Sequence, residues 1–209
     1  MKVDSSIPNG MVILALALAP VNTVRYGGGM DDKMSRQSWL DAGFEQLAAH
    51  GPHGLRIMVI AEQLGVTKGS FYWHFKNLPE YRAALLTEWE RRYTHQIVEQ
   101  VERAGGDAGT KLRRLMSVAA PAASAGPRIT FALRLWALSD PRVGKVVARV
   151  DEVRLAYLAN LLCELGWGKR DAMTLARFAQ QAVIGRFMLS DPPLSAAQND
   201  LIFRALTPK

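Results

Sequence analysis

The chain is poor in the residues that staple or span. It has one cysteine, Cys163, among 209 residues, so no intramolecular disulfide can form. That fits a reducing compartment and excludes a disulfide framework. Its apolar neighbours Leu161, Leu162 and Leu165 mark Cys163 as a small buried hydrophobe rather than a redox centre. The longest apolar run, Met11 to Ala19, falls well short of the roughly 20 residues that cross a bilayer. Beyond residue 33 there is no long alternating β-branched run, and no Asn-Gly or Asp-Gly turn joins two apolar stretches, which argues against a sheet. Gly-x-Ser-x-Gly, phosphate-loop and HExxH patterns are also missing, which removes the commonest hydrolase, nucleotide and zinc-protease signatures.

Acidic residues are in short supply too. Nineteen Asp and Glu face 26 Lys and Arg, for a formal charge of +7 and a sequence pI near 9.8. A basic balance favours anionic partners. The excess is not where a DNA surface is expected, however: residues 111–177 hold twelve Lys/Arg against five Asp/Glu. Bulk charge therefore does not identify the binding face.

The first 33 residues stand apart. A lone Lys2, the Met11–Ala19 run, Pro20 and the Gly27-Gly28-Gly29 stretch resemble a short signal-peptide core, yet translation from Met30 or Met34 reads equally simply. Residues 1–33 are expected to be an extension outside the folded domains, either disordered or upstream of the true start.

What remains is a succession of 3.6-residue periods broken by Gly and Pro. The spacing predicts helices over about 35–50, 57–64, 67–74, 79–104, 108–124, 127–139, 141–165, 169–189 and 195–206. The fold class is all-α, with an N-terminal three-helix domain over 34–78 and a helical C-terminal domain over 79–209. The segment from Ile60 to Lys76 carries the most information. Ile60, Leu64, Val66 and Phe71 can share a core, and Ala61 permits close helix approach. Gly65 supplies the positive φ that ends the second helix. Two short helices so joined form a helix-turn-helix, whose later helix offers its first residues to the major groove.

The stretch resembles the DNA-binding domain of the tetracycline-repressor (TetR) family. Ile60-Ala61, Gly65-Val66-Thr67, Gly69, Tyr72, His74-Phe75 and Lys76 match its signature in order and spacing. The resemblance implies a homodimer on a palindromic operator of double-stranded DNA, acting in the cytoplasm, probably a repressor, released by a small-molecule effector. By position it assigns Thr67, Lys68, Gly69, Ser70 and Tyr72 to the groove or phosphates, and His74 and Lys76 to phosphates. Arg56 stands where the family usually carries a capping Thr or Ser; it cannot cap, but can reach a phosphate. Met58 and Val59 likewise replace residues that are usually polar.

In the C-terminal half, Trp89, Tyr93, Met116, Phe131, Leu135, Trp136, Tyr157, Leu158 and Phe178 fall at core-like positions. The resemblance suggests that some line a largely apolar effector cavity. Trp89, Tyr93, Phe131 and Trp136 are the candidates for area, and Gln181 for an orienting hydrogen bond. Arg134 and Arg154 interrupt apolar patterns; each reads as an anchor for an effector carboxylate or as an ion pair with Glu152. Ala176, Ala179, Ala182 and Gly185 form a small-residue strip, so the last two helices are expected to make the dimer contact. No cofactor, metal or membrane partner is expected. Two other readings remain open: an architectural DNA-binding protein without an effector, and a helical enzyme. For the latter, Ser70 with His74, or zinc on His50, His53 and Cys163, are the weak leads.

Overall fold

The computed structural model describes residues 35–119, 125–189 and 194–208. The expected extension over 1–33, and the end of the fifth helix over 120–124, lie outside the described residues. Among the described residues there are nine helices and no strand. They are α1 (Arg36–His50), α2 (Ile57–Leu64), α3 (Lys68–His74), α4 (Leu78–Glu90, continuing through a π-helical turn Arg91–His95 into Gln96–Arg103), α5 (Ala108–Ala119), α6 (Ala125–Ala137), α7 (Pro141–Glu164), α8 (Lys169–Leu189) and α9 (Ala196–Leu206). A 3₁₀ turn, Gly51–Gly54, follows α1. No described helix is long and apolar enough to cross a membrane.

Local chemistry sets the ends. Ser35 accepts the Ser38 N–H, Asn77 accepts that of Glu80, and Asp140 accepts that of Arg142, so α1, α4 and α7 each begin on a side-chain cap. α9 opens on a full capping box between Ser195 and Gln198. Gly65 closes α2 at φ 68°, with Val66 N–H bonded to the Ala61 carbonyl and Gly65 N–H to that of Glu62. This paired arrangement meets the orphaned carbonyls and turns the chain directly into α3.

Two apolar cores hold the helices. The larger runs from Trp39, Leu47, Ile60, Phe71 and Phe75 through Tyr81 and Trp89 to Ile129, Trp136 and Val150. It crosses residue 78, so the two expected domains share one interior. At its centre Phe71 meets Trp39, Phe75 and Tyr81 with ring centroids 5.3, 5.3 and 5.5 Å apart. Each such contact adds about 0.5–1.5 kcal/mol beyond area burial. The Tyr81 hydroxyl donates to the Trp39 carbonyl at 2.6 Å and rests against Gly43, which ties α4 to α1. The smaller core joins Leu112, Ala159, Leu162, Ala172, Ala176 and Leu206, with Cys163 packed at its edge. Cys163 thus sits among apolar side chains as expected. His50 and His53 lie at the far end of α1, and no metal-binding group forms among the described residues. Two expected core positions turn outward: Leu135 and Phe178 are exposed.

Candidate nucleic-acid interface

The helical phase of α3 decides which side chains are offered. Phe71 and Phe75 lie four apart and both point into the core. At about 100° per residue, residue 73 must then face the opposite way. Trp73 is 88% exposed, and Tyr72 beside it is 51% exposed. Thr67, Lys68, Gly69 and Lys76 complete an exposed face, with His74 partly covered at its edge. The Lys68 ammonium lies 5.9 Å from the centre of the Tyr72 ring, close enough for a cation–π contact across one helical turn. Gly69 has only the Thr67 hydroxyl near its missing Cβ, so backbone can approach an external surface there. Trp73, Gly69, Thr67, Val66 and Gly65 border an open depression beside this face.

Ser70 departs from expectation. It is 7% exposed, on the inner side of α3, and does not reach the open face. The reason is its adjacency to Phe71: burying that ring turns the preceding side chain toward the body of the domain.

The charges on this face are available. Arg56, Lys68 and Lys76 are exposed, and among the described residues none pairs with a carboxylate. In the more basic C-terminal segment, Lys111, Arg113, Arg134, Arg142 and Arg149 are each paired with Glu102, Asp200, Asp151, Asp140 and Glu90. Pairing thus reduces the excess that composition places there. Arg56 occupies the N-cap position of α2 with no side-chain cap, and Thr67 precedes α3 without capping it. Met58, at the start of α2, is exposed.

Trp73 is the interface residue that polarity-based reading passes over. Its signal was the phase itself, since a residue midway between two buried aromatics on a helix cannot join them.

The effector candidates are dispersed. Trp89 and Trp136 are buried in the larger core, and the Trp89 indole donates to Thr130 Oγ1 at 3.2 Å. They pack the interior instead of bordering open space. Tyr93 is partly buried edge-on to Phe44, with ring centroids 6.2 Å apart. Phe131 borders a small apolar cleft of about 230 Å³ with Leu47, Ala48, Pro52, Ala132 and Leu135. Gln181 points outward, whereas its neighbour Gln180 turns inward and donates to Asp151 at 2.8 Å. The expected ion pair of Arg134 forms with Asp151 in place of Glu152, while Arg154 pairs with no carboxylate. Ala176 leaves the small-residue strip, because it is fully buried in the smaller core.

Comparison with known proteins follows the same division. The family model described as bacterial regulatory proteins, tetR family, matches residues 40–77. Among solved structures, a transcriptional regulator from Rhodococcus sp. Rha1 is 23% identical, with a TM-score of 0.64 over 82% of this chain and 91% of that one. A TetR-family member from Streptomyces coelicolor A3 is 23% identical, with a TM-score of 0.61 over 83% and 98%. The transcriptional regulator FadR from Bacillus subtilis, in complex with stearoyl-CoA, is 21% identical, with a TM-score of 0.62 over 83% and 98%. No curated protein matches the chain. At these identities the structural likeness speaks for the fold, and the family match speaks for the helix-turn-helix. Together they make this chain a member of the TetR family, a DNA-binding transcriptional regulator and not an enzyme.

Proposed function

We propose that the chain acts in the cytoplasm as a homodimeric repressor that binds a palindromic operator and is released by a small, largely apolar effector. The observation that carries the DNA reading is the exposed face of α3. Lys68, Gly69, Tyr72, Trp73 and Lys76 project from a helix whose other side is anchored by Phe71 and Phe75. Such a face suits a major groove: Lys68 and Lys76 for phosphates, Tyr72 and Trp73 for base edges and sugar. Ser70 is withdrawn from this set.

The dimer reading rests on α8 and α9. Phe178 is 69% exposed and Leu201 61% exposed; Met173, Leu189 and Ile202 are exposed on the same two helices. Apolar side chains gathered in this way mark an association surface. Nothing stands within 4 Å of a Cβ built on Gly185, which leaves room for a partner helix. Two copies would present their α3 helices to half-sites about 34–36 Å apart, or a multiple of that. For the effector, the B. subtilis neighbour with stearoyl-CoA offers a precedent on the same fold.

The test begins with selecting bound sequences from random duplex DNA, followed by mobility-shift titration of the best site. A palindrome is expected, and Tyr72→Ala should weaken its binding by about 1–3 kcal/mol, roughly ten- to a hundredfold, without altering oligomeric mass. If Tyr72→Ala and Lys76→Ala both bind like the parent, α3 is not the reading helix.

A further inference from the structure

The polar groups inside the C-terminal half gather at one place. Arg134 of α6 makes a bidentate pair with Asp151 of α7, at 2.8 and 2.6 Å, and Gln180 of α8 adds a third hydrogen bond to the same carboxylate at 2.8 Å. This saturates Asp151 but leaves Arg134 Nε and Gln180 Oε1 buried without a partner. Such orphaned atoms are uncommon and each costs about 1–3 kcal/mol. One turn along α7, Arg154 has no carboxylate partner. Its Nε donates to Thr94 Oγ1 at 3.1 Å and its Nη2 to the Tyr93 carbonyl at 2.8 Å. Tyr93 and Thr94 belong to the π-helical turn of α4, where wider winding disturbs the regular backbone ladder and frees such a carbonyl.

The cluster therefore holds two guanidinium groups and one carboxylate. Burial pushes the Arg154 pKa down to about 10, with Asp151 opposing and Arg134 adding to the shift, so the group is still charged at neutral pH. A single uncompensated positive charge, largely enclosed, is costly without a counter-ion. A monoanion with planar twin oxygens matches it in both charge and shape.

We infer that this cluster seats a carboxylate at the polar end of the effector, with Arg154 as its main partner. The inference rests on the reading that the C-terminal half takes a small-molecule effector, and it names that molecule's class: an organic acid with an apolar body. The site also lies beside the link to DNA. Arg92, in the same π-turn, bonds to both Glu88 and Asp41 of α1. A ligand that draws Arg154 from the Tyr93 carbonyl therefore acts on the turn that grips the helix-turn-helix.

The experiment is isothermal titration of the full chain, without DNA, against straight-chain acids from butyrate to palmitate and against phenylacetate, each beside its methyl ester. At least one acid is expected to bind about tenfold or more tightly than its ester, as a charge-assisted pair predicts. Arg154→Gln should erase that preference while operator binding without ligand persists. Arg154→Lys keeps the charge and must keep the preference, which covers the case of a Gln variant that does not fold. Wild-type indifference between every acid and its ester overturns the site, as does an undiminished preference in a folded Arg154→Gln. Operator binding is scored separately. Acid binding without any DNA binding would sink the regulator reading and leave this site standing.

Discussion

At the scale of single residues, the chemistry of a side chain matters less than where its neighbours point it. Lys76 and Trp73 stand free because Phe75 and Phe71 hold the other side of α3. Removing the Lys76 ammonium takes away a phosphate contact that no base sequence modulates. Lys76→Ala should weaken specific and random duplexes alike and lower the salt dependence of log K by about one ion, measured by titration across salt concentrations. Glu88 is the contrasting case of a charge turned inward. Burial alone would raise its carboxyl pKa, but hydrogen bonds from Arg91 and Arg92, with their charges, outweigh burial and hold it below the ordinary 4.5. A carboxyl depressed on folding contributes stability above its unfolded pKa and loses it as pH falls through the folded value. Thermal stability should therefore decline as pH drops below about 4.5. Glu88→Gln should flatten that decline and cost about 1–3 kcal/mol at neutral pH, read from melting curves across pH, because two arginines lose their partner.

At the scale of elements, helix ends were legible and helix phases less so. The expected second helix, 57–64, and eighth, 169–189, agree with Ile57–Leu64 and Lys169–Leu189, because Gly65 and the Gly166-Trp167-Gly168 stretch punctuate locally. The inability of Arg56 to cap α2 was readable for the same reason, since capping depends on one side chain and its own helix. Phase depends on what lies across the interface. A shift of one residue turns a side chain by about 100°, enough to exchange Gln181 for Gln180 and to send Ser70 inward. Gly43 shows how tightly two helices can set that phase. A Cβ built there would lie 2.0 Å from the Tyr81 hydroxyl and 3.1 Å from Leu85. Gly43→Ala should force α4 away from α1 and lower stability by about 1–3 kcal/mol, measured by chemical denaturation. Gly43→Ala combined with Tyr81→Phe should recover part of that loss by removing the clashing oxygen.

At the scale of the whole molecule, the larger core joins the reading head to the C-terminal helices. Trp39, Tyr81, Trp89 and Trp136 belong to one apolar interior, and the Asp41–Arg92–Glu88 link runs beside it. A disturbance in α4 is therefore placed to alter the pose of α3. The exposed apolar faces of α8 and α9 await a partner of like character. Phe178→Asp with Leu201→Asp should reduce the mass by light scattering from twice 23.1 kDa to a single chain and abolish cooperative operator binding. Its isolated helix-turn-helix would retain only weak, salt-sensitive DNA affinity.

Order and spacing along the chain were enough to establish an all-helical protein, its punctuation, and the helix-turn-helix with its DNA-facing cations. Those depend on interactions within a few residues, such as caps, glycine turns and 3.6-residue periodicity. Packing alone decided that Trp73 faces outward and that Trp89 and Trp136 fill the core. It likewise determined that Ala176 belongs to the subunit interior and Arg154 reaches a carbonyl in a π-turn 61 residues away. Each of these depends on which distant helix arrives opposite, and on the free energy of burying one face over another, which no local pattern of residues encodes.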